Sequence, residues 1–202
     1  MNLNELELLP LKPGVYKFYD KNNKILYVGK ALNLRNRVKS YFNDTLYDRP
    51  YVKRMIPFIS KIEVEETNNE IESLVLESAL IKELKPKYNS ELKDDKSYAW
   101  IYLSTKEKFP TVKITRSITN KELQKGELFG PYPNTHSARR VFTYLRKLHP
   151  FCTCKERTRS RECMYYHLGL CPGPYQGHIS EREYRKKINE IRKFLQGRKR
   201  GQ

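Results

Sequence analysis

Residues 14–30, "GVYKFYDKNNKILYVGK", alternate apolar and polar side chains on both sides of a polar Lys-Asn-Asn-Lys step, the pattern of two antiparallel strands joined by a tight turn. With Asn22 and Asn23 as the turn, Lys21 faces Lys24, Phe18 faces Tyr27 and Tyr16 faces Gly29. Tyr16 and Tyr27 are then diagonal neighbours on one face, roughly 7–8 Å apart, and Gly29 leaves room opposite Tyr16. A slip of one residue would send them to opposite faces, so the reading depends on register. The strands end in Gly-Val-Tyr and Tyr-Val-Gly-Lys, which furnishes the hairpin with two phenols and the Lys30 ammonium.

Working outward, "ALNLRNRVKSYF" (31–42) repeats Leu34, Val38 and Tyr41 at helical spacing, with Arg35, Arg37 and Lys39 on other sides of a short helix. "KIEVEE" (61–66) alternates as a third strand. "TNNEIESLVLESALIKEL" (67–84) opens with Asn/Thr capping chemistry and reads as a helix that stops before Pro86. The order is ββαβα. From about residue 92 a second alternating region begins, and "FGPYP" (129–133) reads as a Gly-Pro turn feeding a basic helix from about Ser137. In "ISEREYRKKINEIRKFLQG" (179–197), Ser180 and Glu183 stand in capping-box relation. Tyr184, Ile188, Ile191 and Leu195 form one stripe, and Gly197 is a stop. The expected class is α/β (α+β): a small antiparallel three-stranded sheet flanked by helices over 1–91, a small β/α region over 92–150, and a cysteine-containing basic helical region over 151–202.

The 202 residues carry 40 Lys+Arg against 23 Asp+Glu, a formal net charge of +17 that favours a polyanionic partner. The excess is uneven: 17 of the basic residues but only 5 of the acidic ones follow residue 137. No run of about 18 apolar residues is present, and "MNLNELELLPLKPG" has acids where a secretory leader needs lysine and a greasy stretch, so membrane insertion and secretion are not expected and a cytoplasmic chain is.

Glu77 is the strongest single clue. Its helical neighbours are Leu74, Leu80, Ile81 and Leu84, an apolar flank on which an unpaired carboxylate is costly. It needs a partner, and a divalent cation such as Mg2+ or Mn2+ fits a hard oxygen ligand.

"GVY", "YVGK", "ALNLRNRVKSYF" and the glutamate of "LVLESALIKELKPKYN" together resemble the GIY-YIG nucleases, and among them the UvrC family. "LKDDKSYAWI", "FGPYP" and "CMYYHLGLCPGP" followed by "ISEREY" extend the resemblance over nearly the whole chain. It implies a metal-dependent endonuclease of bacterial nucleotide excision repair that makes the 3′ incision beside a lesion in damaged double-stranded DNA. The implied partner is a UvrB–DNA complex prepared with UvrA, met by a monomer. It implies that Tyr27 is the general base poised by Lys30, that Tyr16 orders the water, and that Arg37 clamps the scissile phosphate with Tyr41. Glu77 would then hold the metal, with Glu70 the residue most easily mistaken for it, and Asn89 would support the site. Arg35, Lys39, Arg139 and Arg140 are the expected DNA contacts. The ribonuclease-H-like half and UvrB-binding hairpin that UvrC chains normally carry have no room after Gln202, so a single incision is expected, from a fragment or from a short homologue of the Cho type.

Cys152, Cys154, Cys163 and Cys171 lack the paired spacing of a zinc knuckle, and a cytoplasmic chain argues against disulfides. The resemblance implies a four-cysteine site that carries an iron–sulfur cluster or zinc. Tyr175 stands where the last cysteine is expected, which leaves Cys152, His167 or His178 as the fourth ligand, or the site lost.

Overall fold

The computed structural model describes residues 6–42, 50–91, 98–117, 119–153 and 162–197. The chain divides into two compact units, Met1–Lys96 and Ser97–Gln202.

The first unit contains β1 (Gly14–Tyr19), β2 (Ile25–Ala31), α1 (Leu34–Lys39), α2 (Pro50–Met55), β3 (Lys61–Glu66), α3 (Glu70–Leu84) and α4 (Lys87–Glu91). The strands pair antiparallel in the order β2-β1-β3. Register at the decisive hairpin is as the alternation requires, with Tyr16 opposite Gly29 and Phe18 opposite Tyr27. The turn differs. Asp20 rather than Lys21 closes it: its backbone N–H donates to the Lys24 carbonyl, its side chain accepts from the N–H groups of Asn22 and Lys24, and Asn23 takes a left-handed conformation (φ 59). The loop is thus one residue longer than the Asn-Asn turn, and a bulge next to Tyr19 absorbs the extra residue, so the register beyond it is preserved.

Each face of this sheet has its own cover. Tyr16 and Phe18 pack with Leu34, Val38, Tyr41, Met55 and Tyr88 on one side, while Val15 and Val28 pack with Leu76, Leu80 and Ile81 of α3 on the other. Gly14 is required where β1 meets its neighbours, because a Cβ there would lie 2.3 Å from the Glu65 carbonyl oxygen and 2.7 Å from Leu34. α1 starts at Asn33, whose side chain accepts from the Asn36 N–H, and α3 starts at Asn69, whose side chain accepts from the Glu72 N–H. Lys85, left-handed at φ 45, ends α3 one residue before Pro86.

The second unit contains β4 (Ala99–Ser104), β5 (Val112–Thr115), α5 (Asn120–Leu123), β6 (Gly126–Tyr132), α6 (Thr135–Leu148), α7 (Met164–His167) and α8 (Glu181–Leu195). Its sheet is antiparallel in the order β5-β4-β6. The Gly130–Pro131 step is a cis peptide inside β6 rather than a turn, and the following helix starts two residues earlier than Ser137, capped by Asn134. α8 has the reciprocal capping box between Ser180 and Glu183, and Tyr184, Ile188, Ile191 and Leu195 are buried. Tyr184 joins the β/α region to the cysteine-containing one: its hydroxyl donates to the Pro110 carbonyl at 2.7 Å and accepts from the Cys152 N–H at 2.9 Å.

Candidate active site

β2 is an edge strand, and an edge leaves backbone groups in need of partners. Two side chains from the helices meet that need. Asn89 of α4 accepts from the Val28 N–H and donates to the Val28 carbonyl, both at 2.8 Å, and Glu77 of α3 accepts from the Lys30 N–H at 2.9 Å. This double grip sets β2, and hence Tyr27, against α3. It gives Asn89, which the resemblance puts in support of the site, a concrete means of support through the backbone of β2.

The result is a cleft of about 560 Å³ whose walls include Tyr16, Tyr27, Lys30, Arg37 and Glu77. Tyr16, Tyr27 and Tyr41 form a triangle with ring centroids 5.7 to 6.3 Å apart. The hydroxyls of Tyr16 and Tyr41 share a hydrogen bond of 2.7 Å, and the Arg37 guanidinium lies 5.2 Å from the centre of the Tyr41 ring. Tyr41 therefore serves both the core and the site: it is 3% exposed yet carries a polar tip toward the other phenols.

Electrostatics in the cleft follow from burial. It pushes the Glu77 carboxyl up to about 7, against the opposing influence of the Lys30 N–H bond and the Lys30 and Arg37 charges. Burial also pushes the phenols of Tyr16 and Tyr27 well above their ordinary range. Tyr41 and Glu77 add to this at Tyr27, and Arg37 draws both phenols down. The Lys30 ammonium is paired with Glu70 at 3.1 Å, so Glu70 is engaged as a counter-ion and Arg37 is the cation that acts on the phenols.

Gly29 has a different use from the open space its position suggested. The Tyr16 phenol itself fills that space, and a Cβ on Gly29 would fall 2.3 Å from the Tyr16 hydroxyl oxygen and 2.7 Å from the Tyr27 ring. Gly29→Ala must displace both rings. On the nuclease activity that the resemblance implies, the expected result is at least a tenfold loss of cutting with the chain still folded, measured as single-turnover nicking alongside circular dichroism; unchanged nicking would show that the ring positions do not matter.

Asn33, Asn36 and Ser40 also line the cleft, beside Arg37. They went unnoticed in the sequence although a signal was there: 33, 36, 37 and 40 form a polar stripe on the side of α1 opposite Leu34 and Val38. Two expected DNA contacts are engaged within the unit, Arg35 donating to the Leu9 carbonyl at 2.7 Å and Lys39 pairing with Glu7. Arg139 and Arg140 lie exposed on α6.

In the cysteine region, Cys152 and Cys171 are buried and Cys163 is partly so, while Cys154 lies outside the described residues. The Cys171 thiol is pushed up, first by its hydrogen bond with Cys152 and then by burial. His178 stacks on Tyr166 at 4.5 Å and bonds Glu162 at 3.1 Å, and Tyr175 packs edge-on against Phe109. Among the described residues no group of three or more His, Cys, Asp or Glu is arranged to hold a metal ion.

A three-stranded antiparallel sheet that brings a Gly-Val-Tyr strand, a Tyr-Val-Gly strand, a helical arginine and a helical glutamate to one cleft defines the GIY-YIG fold. Residues 12–90 match the UvrC-like GIY-YIG domain, and residues 98–194 match the UvrC/Cho excinuclease middle domain. The chain belongs to the UvrC family. It is 42% identical to the UvrABC system protein C of Caldanaerobacter subterraneus subsp. tengcongensis over 205 residues, covering 98% of this chain and 33% of that one. It is likewise 42% identical to that of Moorella thermoacetica, covering 98% of this chain and 32% of that one. The chain thus spans about a third of the length of these relatives. A solved structure of the GIY-YIG N-terminal endonuclease domain of UvrC from Thermotoga maritima, bound to magnesium, is 37% identical over 44% of this chain and 99% of that one, with a TM-score of 0.39.

Proposed function

We propose that this chain is a divalent-metal-dependent endonuclease that hydrolyses one strand of damaged duplex DNA on the 3′ side of a lesion, in bacterial nucleotide excision repair. The observation that carries this is the meeting of a Glu77 carboxylate, raised by burial, with Tyr16, Tyr27 and Arg37 in one cleft.

The cleft suits a cation. A carboxylate kept from water is costly when charged, and one Lys30 N–H is its hydrogen-bond donor among the described residues. Glu77 would hold Mg2+ or Mn2+ through oxygen, which supplies positive charge to the phosphate and acidifies bound water. The chain's own groups do the rest. Arg37, half in the cleft and beside the phenols, is placed to bind two phosphate oxygens as a fork and to stabilise charge on the pentacovalent phosphorus. Tyr27, once its own phenolic proton has passed to solvent, would take the proton of the attacking water, and Tyr16, held by Tyr41, orients that water. Asn89 fixes the strand that carries Tyr27, and Lys30, held by Glu70, leaves its backbone N–H to Glu77.

The names of the relatives support a place in the UvrABC system. On this reading the chain acts as a monomer in the cytoplasm on a UvrB–DNA complex prepared with UvrA. Among the described residues no helix is long and apolar enough to cross a membrane. The test is nicking of a duplex with one defined lesion, loaded with UvrB, in Mg2+ and in EDTA. A single 3′ nick that requires Mg2+ and disappears with the chelator is expected. A nick that persists in EDTA would remove the metal from the mechanism, and salt-sensitive binding with no nick would reduce the chain to a DNA-binding module.

A further inference from the structure

The second unit carries a groove of about 660 Å³ along α8, closed at one side by His149 at the end of α6, that none of the nuclease chemistry uses. Its walls are Lys186, Lys187, Arg192 and Lys193 with Asn189, Gln196 and one carboxylate, Glu190, which is bonded to Lys193 at 3.0 Å. Helical periodicity explains the arrangement. Tyr184, Ile188, Ile191 and Leu195 are buried, so Lys186, Asn189, Lys193 and Gln196 follow one another up the opposite face over roughly 15 Å. α8 is held from the buried side by the two hydrogen bonds of Tyr184 and by Phe194, whose ring lies 5.8 Å from Tyr144 of α6. The cationic face is therefore on a rigid support.

We propose that this groove is a phosphate track that holds the sugar–phosphate backbone of duplex DNA, a second contact region in addition to the cleft of the first unit; it rests on the nuclease reading for the choice of DNA. The lining itself points to a phosphate backbone. Lys, Arg, Asn and Gln are the side chains that contact phosphates, and they occur here in a row. Among the described residues no apolar side chain lines the groove, whereas a protein partner would bring an apolar core that needs an apolar counterpart. The acids present do not cancel the charge: Glu190 is matched by Lys193, and Arg192 is paired with the exposed Glu127 of β6 at 2.8 Å. Such solvent-facing pairs contribute little and can be exchanged for phosphate. Lys186 and Lys187 make no ion pair within 4 Å among the described residues; Glu183 acts on them only at longer range.

The test uses the full chain with Glu77→Gln, so that DNA is bound and not cut. Lys186→Gln, Lys187→Gln and Lys193→Gln are combined and compared with a charge-matched control, Lys21→Gln, Lys24→Gln and Lys125→Gln, all three exposed and none of them lining the groove. Affinity for a 30-base-pair duplex is measured between 50 and 200 mM salt. Each phosphate contact contributes about 0.9 to the slope of log K against log salt, so the groove triple should flatten the slope by about 2 to 3 and weaken binding more than tenfold, and the control by much less. Equal effects in the two triples would overturn the track, since net charge alone would then account for both. Cutting by the otherwise unaltered chain is scored separately. Loss of the nuclease reading would appear as no nick with the difference between triples intact, and failure of the track as normal nicking with the difference gone.

Discussion

Glu77→Gln should leave a chain that folds and binds duplex DNA with nearly the parental affinity but cuts it at least about 10³-fold more slowly at a Mg2+ concentration that saturates the parent. The substitution is close to isosteric, and the amide oxygen can still accept the Lys30 N–H that the carboxylate accepts at 2.9 Å, so the edge of β2 keeps its partner. What is lost is a carboxylate enclosed in the cleft with Arg37 and the phenols of Tyr16 and Tyr27. Were Glu77 only a strand-capping residue, the glutamine would be nearly silent. Were it the metal ligand, raising the Mg2+ concentration should restore part of the rate, and the apparent metal affinity should drop. Single-turnover nicking over a Mg2+ titration, beside binding measured in EDTA, separates the two. Full activity at ordinary Mg2+ would remove Glu77 from the metal site and leave Glu70, now paired with Lys30, as the next carboxylate to test.

What could be read from the sequence divides along a physical line. Local periodicity specified β3, the caps of α3 and α8 and the buried stripe of α8, because each depends on residues within a few positions of one another. The pairing of Tyr16 with Gly29 was legible for the same reason, although the turn that produces it was not: the longer loop and the bulge offset each other, so two local departures left the site's register intact. The other features of the site depend on distant pairs. Lys30 meets Glu70 and Val28 meets Asn89 across 40 and 61 positions, and a lysine in a Tyr-Val-Gly-Lys motif carries no mark of which acid will claim it. The space beside Gly29 was visible as an absence, but not which ring would fill it. Charge patterning showed that the last third of the chain is strongly basic. Only the orientation of α8 shows that the cations form a row and that Arg192 is drawn aside to Glu127.

Tyr27→Phe should be the second severe change, with cutting reduced by about 10²- to 10⁴-fold in a chain that still folds, because it removes one oxygen and leaves the ring. The ring packs 6.2 Å from Phe18 and 6.1 Å from Tyr16, and phenylalanine keeps both contacts. Its phenol is held well above the ordinary tyrosine range, first by burial and then by Tyr41 and Glu77, with Arg37 alone drawing it down, so it can accept the water's proton only after its own proton has left for solvent, a loss that positive charge on the Glu77 side of the cleft favours. This makes Tyr27 a base that works only in the assembled site, and the same dependence makes it distinguishable from its neighbour. Tyr16→Phe breaks the 2.7 Å bond to Tyr41 in the core and leaves the Tyr41 hydroxyl in want of that partner, at a cost in stability of about 1 kcal/mol or more. Its effect should therefore show strongly in the melting temperature as well as in the rate, whereas Tyr27→Phe, which also gives up a hydrogen bond to Tyr41, should show far more in the rate than in the melting temperature. Measuring both variants by thermal melting and by single-turnover nicking decides the assignment: a Tyr27→Phe chain that cuts within tenfold of the parent, beside a Tyr16→Phe chain that does not, would transfer the base from the second strand of the hairpin to the first.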